Sequence, residues 1–119
     1  MANTDHRIVI EQCRNRVRVV WRGQSVADSL QALTLREATY PAVHYIPRRD
    51  VQMAFLERTS HQTRCPYKGL ASYFSLKDQD GASENAVWTY ESPIPSVVAI
   101  AGYLAFYPDR VDRIDEVPA

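Results

Sequence analysis

The segment 63–69, with the sequence TRCPYKG, holds the side chain best suited to covalent chemistry, the thiol of Cys65. Cations beside a cysteine favour its nucleophilic thiolate form, and Arg64 and Lys68 flank this one. His61 would act as the base for this thiol if the segment folds back on itself. The competing interpretation is a buried thiol beside a proline that only shapes the chain, since free cysteine is among the most buried residue types. Cys65 is therefore the candidate catalytic residue, and whether the protein is an enzyme stays open.

Lys68 and Gly69 suggest a position for an anion. A lysine supplies a positive charge, and a glycine lets a ligand approach the backbone closely. The same pair is equally compatible with a bend that enters a strand. We therefore predict a small anionic ligand or a nucleotide at a pocket around Cys65 and Lys68.

Aromatic side chains with a polar group are favoured where an apolar wall meets a wet opening. The candidate ligand-binding residues, besides Lys68, are Tyr73, Asn85, Trp88 and Tyr90, and Tyr45 would extend the same wall. Core packing is the alternative for each ring, and a local backbone hydrogen bond is the alternative for Asn85. A second class of function uses the aromatic face to bind a protein partner or another copy of the chain, as in a homodimer.

The sequence predicts neither a metal nor a cofactor. Three histidines and two cysteines are scattered along the chain without a Cys-x-x-Cys pair. His44 lies in an apolar run, which is typical of a core histidine, and His6 lies in a tail. Asp78 and Asp80 form the nearest carboxylate pair, but an Asp-Gly dipeptide in this place is typical of a turn. Folding should need neither a metal nor a disulfide.

Composition limits the class of protein further. The 119 residues and 13.6 kDa leave room for one domain, and 45% apolar and 24% charged residues are typical of a folded chain. Fourteen basic residues balance fourteen acidic ones, so we expect no nucleic acid and no membrane as partner. The chain has no apolar run near the roughly 20 residues of a membrane span and no disulfide framework. A cytoplasmic protein is the simplest prediction.

Period-two alternation predicts that strands carry the candidate residues. Val17, Val19 and Trp21 share one face of a strand, and arginines occupy the other. Further strands are predicted at 25–28, 43–46, 71–77, 85–90, 103–107 and 111–114, with a helical turn at 96–101. Segment 29–37 is strand or turn, and segment 51–58 is strand or helix.

These elements predict a mainly β fold, either a small antiparallel barrel or a two-layer sandwich with little helix. The hairpin formed by 71–77 and 85–90 should be central, with Trp88 substantially buried. Residues 1–15 are predicted as a partly flexible N-terminal extension, and residues 16–119 as a single β-rich domain.

Several motifs occur in a characteristic order. They are ADS at 27–29, YIP at 45–47 followed by Asp50 and Val51, CPYKG at 65–69 with ASY at 71–73, NAVWTY at 85–90 and IAGYLAFY at 100–107. In this order they closely resemble the domain of unknown function 427 family over about residues 16 to 111. The resemblance implies a small, mainly β, mostly bacterial protein whose activity is not established. The family also carries a nucleotidyltransferase label.

Overall fold

A computed structural model describes residues 7–119, which form ten strands and four short 3₁₀ segments. The strands are β1 Ile8–Gln12, β2 Arg16–Trp21, β3 Gln24–Ser29, β4 Leu33–Glu37, β5 Val43–Tyr45, β6 Leu56–Cys65, β7 Gly69–Lys77, β8 Ala82–Thr89, β9 Leu104–Phe106 and β10 Arg113–Val117. The 3₁₀ segments are Arg48–Asp50, Met53–Phe55, Pro95–Ile100 and Pro108–Arg110. The predicted mainly β class is confirmed.

The strands pair antiparallel in three sheets, with the orders β1-β4-β5, β10-β2-β3 and β6-β7-β8-β9. A two-way bridge joins Ile46, just after β5, to Leu104 of β9, where each backbone N–H donates to the other residue's carbonyl at 2.8 Å. The described strands do not close into a barrel. The sandwich alternative is therefore the one that describes the molecule.

Both faces of the four-stranded sheet are covered, because alternate residues of its strands face opposite sides and pack in different cores. One face packs on the β10-β2-β3 sheet and forms the first core, which includes Val17, Val19, Phe74, Leu76, Val87, Leu104 and Phe106. The other face packs on β4 and β5 and forms the second core, which is made of Leu35, Tyr45, Ala71, Tyr73, Tyr90, Val97, Ile100 and Ala105. Burial on both faces fixes the register of β7 and β8.

The structure decides two segments that the sequence left open and adds two strands that it did not predict, β1 and β6. Residues 8–12, within the predicted N-terminal extension, form β1 and pair with β4; residues 1–6, with His6, lie outside the described part. Segment 29–37 forms β4 over its last five residues, and segment 51–58 contains a 3₁₀ turn before β6 begins. The sequence does not predict β6, because its side chains are mostly polar and exposed and show no hydrophobic alternation.

The central hairpin is present, but Trp88 is only partly buried while its neighbours Val87 and Thr89 are fully buried. The connecting turn is held by Asp78, whose carboxylate accepts hydrogen bonds from the backbone N–H groups of Asp80 and Gly81 at 2.8 Å. This is the turn chemistry that the Asp-Gly dipeptide predicts.

Candidate functional site

β4 carries a carboxylate on its apolar inner face. Residues two apart on a strand share a face, so Glu37 follows Leu33 and Leu35 toward the second core. Leu35 is 2% exposed and the side chain of Glu37 is 12% exposed. Sequence reasoning missed Glu37, although the alternation from 33 to 37 was the signal that would have placed it inward.

Lys68 pairs with this carboxylate. Its ammonium donates a hydrogen bond to Glu37 Oε1 at 2.5 Å, and the lysine side chain is 11% exposed. Lys68 lies in the tight turn between β6 and β7, where Cys65 is the register partner of Gly69. Gly69 has φ +115°, a conformation that other residues rarely adopt, and the Lys68 carbonyl accepts from the Ile94 N–H at 2.9 Å. The turn therefore directs the ammonium group of Lys68 toward the protein interior.

Two buried tyrosines lie close to this ion pair. Tyr45 is 1% exposed and Tyr90 is 6% exposed. Burial is the main cause that raises the pKa of both hydroxyls well above the ordinary value of 10, and the nearby Glu37 and Cys65 raise it further. Both hydroxyls therefore remain neutral hydrogen-bond donors.

Five rings form a continuous row beside the pair, in the order Tyr45, Trp88, Tyr107, Tyr73 and His61. The Trp88 indole N–H donates to Tyr45 Oη at 3.2 Å, and its ring centroid lies 4.5 Å from that of Tyr107. The hydroxyls of Tyr73 and Tyr107 are 3.2 Å apart. Trp88 and Tyr107 are partly exposed, so this aromatic row lines a surface that solvent reaches.

The raised tyrosine pKa values predict a spectroscopic result. Burial, the largest cause, raises the pKa of Tyr107 to about 12, and those of Tyr45 and Tyr90 rise further still. At pH 11 the native absorbance change near 295 nm should be smaller than that of the urea-unfolded chain, because these three hydroxyls keep most of their protons in the folded form. The folded form keeps protons that the unfolded chain loses near pH 10, so the stability that these groups confer is complete below pH 10 and declines as the pH rises. Equal native and unfolded titrations would contradict the assignment.

The structure brings most of the predicted site residues together. Tyr73 and Tyr90 belong to the second core, and Cys65 and Trp88 pack against it from partly buried positions. Lys68 reaches the same place through Glu37.

Asn85 lies apart from this group. Its side-chain oxygen accepts from Thr59 Oγ1 at 2.7 Å, and its backbone N–H donates to Ser75 Oγ at 3.0 Å. Its φ of 50° places it at an irregularity in the β7–β8 register. The side-chain amide of Asn85 therefore pairs with a side chain on β6, and not with the local backbone as the alternative interpretation describes.

His61 is not placed to serve as the base of Cys65. Both residues lie on the extended strand β6, where a separation of four residues spans roughly 13 Å. The fold-back that the sequence hypothesis requires is therefore absent. Instead, His61 contacts Tyr73 with ring centroids 4.5 Å apart.

Comparison of the sequence with protein-family models identifies the family of this chain. The family model described as Domain of unknown function (DUF427) matches residues 9–117. The chain belongs to the DUF427 family. A search of curated proteins finds no match to it.

Two clefts of this DUF427 domain border the candidate site. One, of about 320 Å³, lies beside the β6–β7 turn and is lined by Ile8, Pro66, Tyr67, Ile94, Ser96 and Val97. The other, of about 300 Å³, includes Trp88 in its wall. One cleft therefore borders the turn that carries Lys68 and the other borders Trp88 of the aromatic row, and neither lining includes Lys68 or Glu37.

The DUF427 domain shows no cluster of three or more His, Cys, Asp or Glu side chains suited to a metal ion within residues 7–119. Cys13 and Cys65 are both free thiols. None of the helical segments in the described part is long and apolar enough to cross a membrane.

Proposed function

We propose that the protein binds a small planar molecule that presents an N–H donor next to a carbonyl acceptor, as in a lactam or a nucleobase. The observation that carries this proposal is the Lys68–Glu37 ion pair among buried tyrosines. Removing two charges from water costs several kcal/mol per ion, and an apolar pair of similar volume would often be at least as stable. A ligand that forms hydrogen bonds with both charged groups explains why the pair is present, whereas its contribution to stability does not.

Charge balance favours a neutral ligand over the anionic one that Lys68 alone predicts. The carboxylate of Glu37 already neutralises the ammonium of Lys68. An added anion would compete with that carboxylate for the lysine and would meet repulsion from it. A lactam avoids both costs, because its carbonyl accepts from Lys68 while its N–H donates to Glu37.

The surroundings of the ion pair suit a flat ligand. Trp88 and Tyr107 offer partly exposed ring faces, and Tyr45 and Tyr90 offer neutral hydroxyls. Cys65 lies at the edge of the same group and remains the candidate nucleophile for an enzymatic role.

The other classes of function receive less support. A flat protein interface on the aromatic face would need accessible rings, whereas Tyr45, Tyr73 and Tyr90 are at most 6% exposed. Nucleotidyl transfer uses carboxylates that hold Mg²⁺ on a triphosphate. The Asp78 carboxylate already accepts a hydrogen bond from the backbone N–H of Asp80 in its own turn. It also accepts hydrogen bonds from the side chains of Arg22 and Gln24 at 3.0 Å.

A matched pair of probes tests the proposal. We expect 2-pyridone to shift amide resonances of residues around Lys68 in a saturable way, and N-methyl-2-pyridone, which lacks the N–H, to bind at least tenfold more weakly. Glu37→Gln should reduce the affinity for 2-pyridone to a similar degree. The control Glu11→Gln, at a β1 carboxylate that is 56% exposed, should leave it unchanged.

Two results would refute the proposed ligand class. One is that inorganic phosphate or adenosine monophosphate binds near Lys68 while 2-pyridone does not. The other is that both pyridones bind with equal affinity, because the Glu37 carboxylate would then make no use of the N–H. Cys65→Ala should retain binding, so a loss of affinity in that variant would place the thiol in recognition instead of catalysis.

A further inference from the structure

The second cleft lies where β5 and β9 separate. The bridge between Ile46 and Leu104 is the isolated pairing that joins these strands. Toward the other end of β5, residues Ala42 to His44 and, across from them, Phe106 and Pro108 line the cleft. Its lining includes neither Lys68 nor Glu37, so this cleft is distinct from the proposed lactam site.

The cleft has flat apolar walls. Besides the strands that separate, Val17, Val19 and Ile114 line it from the β10-β2-β3 sheet, and Trp88 contributes an aromatic surface. Phe106 is 4% exposed and Val19 is fully buried, so both are held firmly in place by the first core. A volume of about 300 Å³ is at the small end for ligand pockets and admits a single-ring molecule.

Arg113 places a guanidinium at the edge of the cleft. Because its pair with Asp115 is exposed, unlike the Lys68–Glu37 pair, water screens the repulsion between Asp115 and an anionic ligand. The Nε of Arg113 donates to Asp115 Oδ2 at 2.8 Å, so this pair does not use the two terminal nitrogens of the guanidinium, and the side chain is 57% exposed. In the other polar lining residue, His44, both ring nitrogens already have hydrogen-bond partners. Nδ1 bonds Thr34 Oγ1 at 2.9 Å and Nε2 bonds Glu116 Oε1 at 3.1 Å. Arg113 is therefore the lining group that can receive a ligand's charge.

We propose that this cleft binds a small aromatic carboxylate. The ring packs against the apolar lining, which includes Trp88 and Phe106, and the carboxylate accepts two parallel hydrogen bonds from the terminal nitrogens of Arg113. Arginine suits this role because its planar fork matches a carboxylate. This site does not depend on the proposed function at Lys68.

The two tryptophans allow a direct test with the unmodified chain. In protein labelled with ¹⁵N-tryptophan, benzoate should shift the indole N–H signal of Trp88 in a saturable way. The signal of Trp21, which belongs to the first core and is not part of the cleft lining, serves as an internal control. Benzyl alcohol, which has the same ring without the charge, should bind at least tenfold more weakly.

Two test variants and one control complete the test. Arg113→Gln should weaken benzoate binding about tenfold, to the level of benzyl alcohol. Arg36→Gln should have no effect, and Arg36 is the matched control because it is also exposed and paired with one carboxylate. Ala42→Phe, at an exposed lining position, should fill the cleft and abolish binding of both probes. Absence of a saturable Trp88 shift, equal affinity for the two probes, or an unaffected Arg113→Gln variant would each overturn the proposal.

Discussion

Replacing Lys68 with methionine should reduce the free energy of unfolding by about 3 to 5 kcal/mol. Lys68 and Glu37 are 11% and 12% exposed at their side chains, so the variant leaves a carboxylate in the protein interior without its cation. Urea unfolding of Lys68→Met followed by circular dichroism measures the loss. An isolated buried charge is far more costly than the pair, which is why removing one partner has such a large effect.

Two further variants separate the buried charge from general damage. The double variant Lys68→Met with Glu37→Leu should recover most of the lost stability, because no uncompensated charge remains. Lys77→Met breaks an exposed pair with Glu57, where the side chains are 59% and 64% exposed, and it should change stability by less than about 1 kcal/mol. If Lys68→Met were as mild as Lys77→Met, the ion pair would not be buried as described.

Leu104→Ala should reduce stability by about 2 to 5 kcal/mol. Leu104 is fully buried in the first core, and its backbone forms the two-way bridge to Ile46 that connects two of the three sheets. Truncation removes apolar contacts and leaves a cavity at this junction, which the surrounding strands are poorly able to refill because they are held by hydrogen bonds. Thermal and urea unfolding both measure the effect.

Leu30→Ala is the matched control for this truncation. Leu30 is 58% exposed, so the same loss of methyl groups should cost less than about 0.5 kcal/mol. Comparable losses from the two leucine variants would mean that Leu104 does not lie at a packed junction.

The sequence alone determined the fold class and the central hairpin. Alternation in β2 and the turn chemistry around Asp78 are local signals, because strand facing repeats every two residues and turns are specified by neighbouring residues. It also predicted several residues that the structure brings together, since Cys65 and Lys68 stand in one short motif and Tyr73 and Trp88 follow on β7 and β8. Family membership followed from the same motifs and is now shown.

Other features depended on distant parts of the chain. Edge strand β6 carries no apolar pattern, and it is a strand because β7 supplies its hydrogen-bond partners. Asn85 could not be assigned from its own surroundings in sequence, since its hydrogen bonds are made with Thr59 and Ser75. A local pattern does not specify which side chain on another strand will lie opposite.

The ion pair shows most clearly what only the tertiary structure decided. Lys68 in the β6–β7 turn and Glu37 in β4 are separated by 31 positions, so nothing in the motif around Lys68 indicates that a carboxylate neutralises it. For that reason the proposed ligand is a neutral donor and acceptor, whereas the sequence predicted an anion. Sequence fixes which groups can carry charge, but the net charge that a ligand meets depends on packing between sheets, which is set by the whole chain.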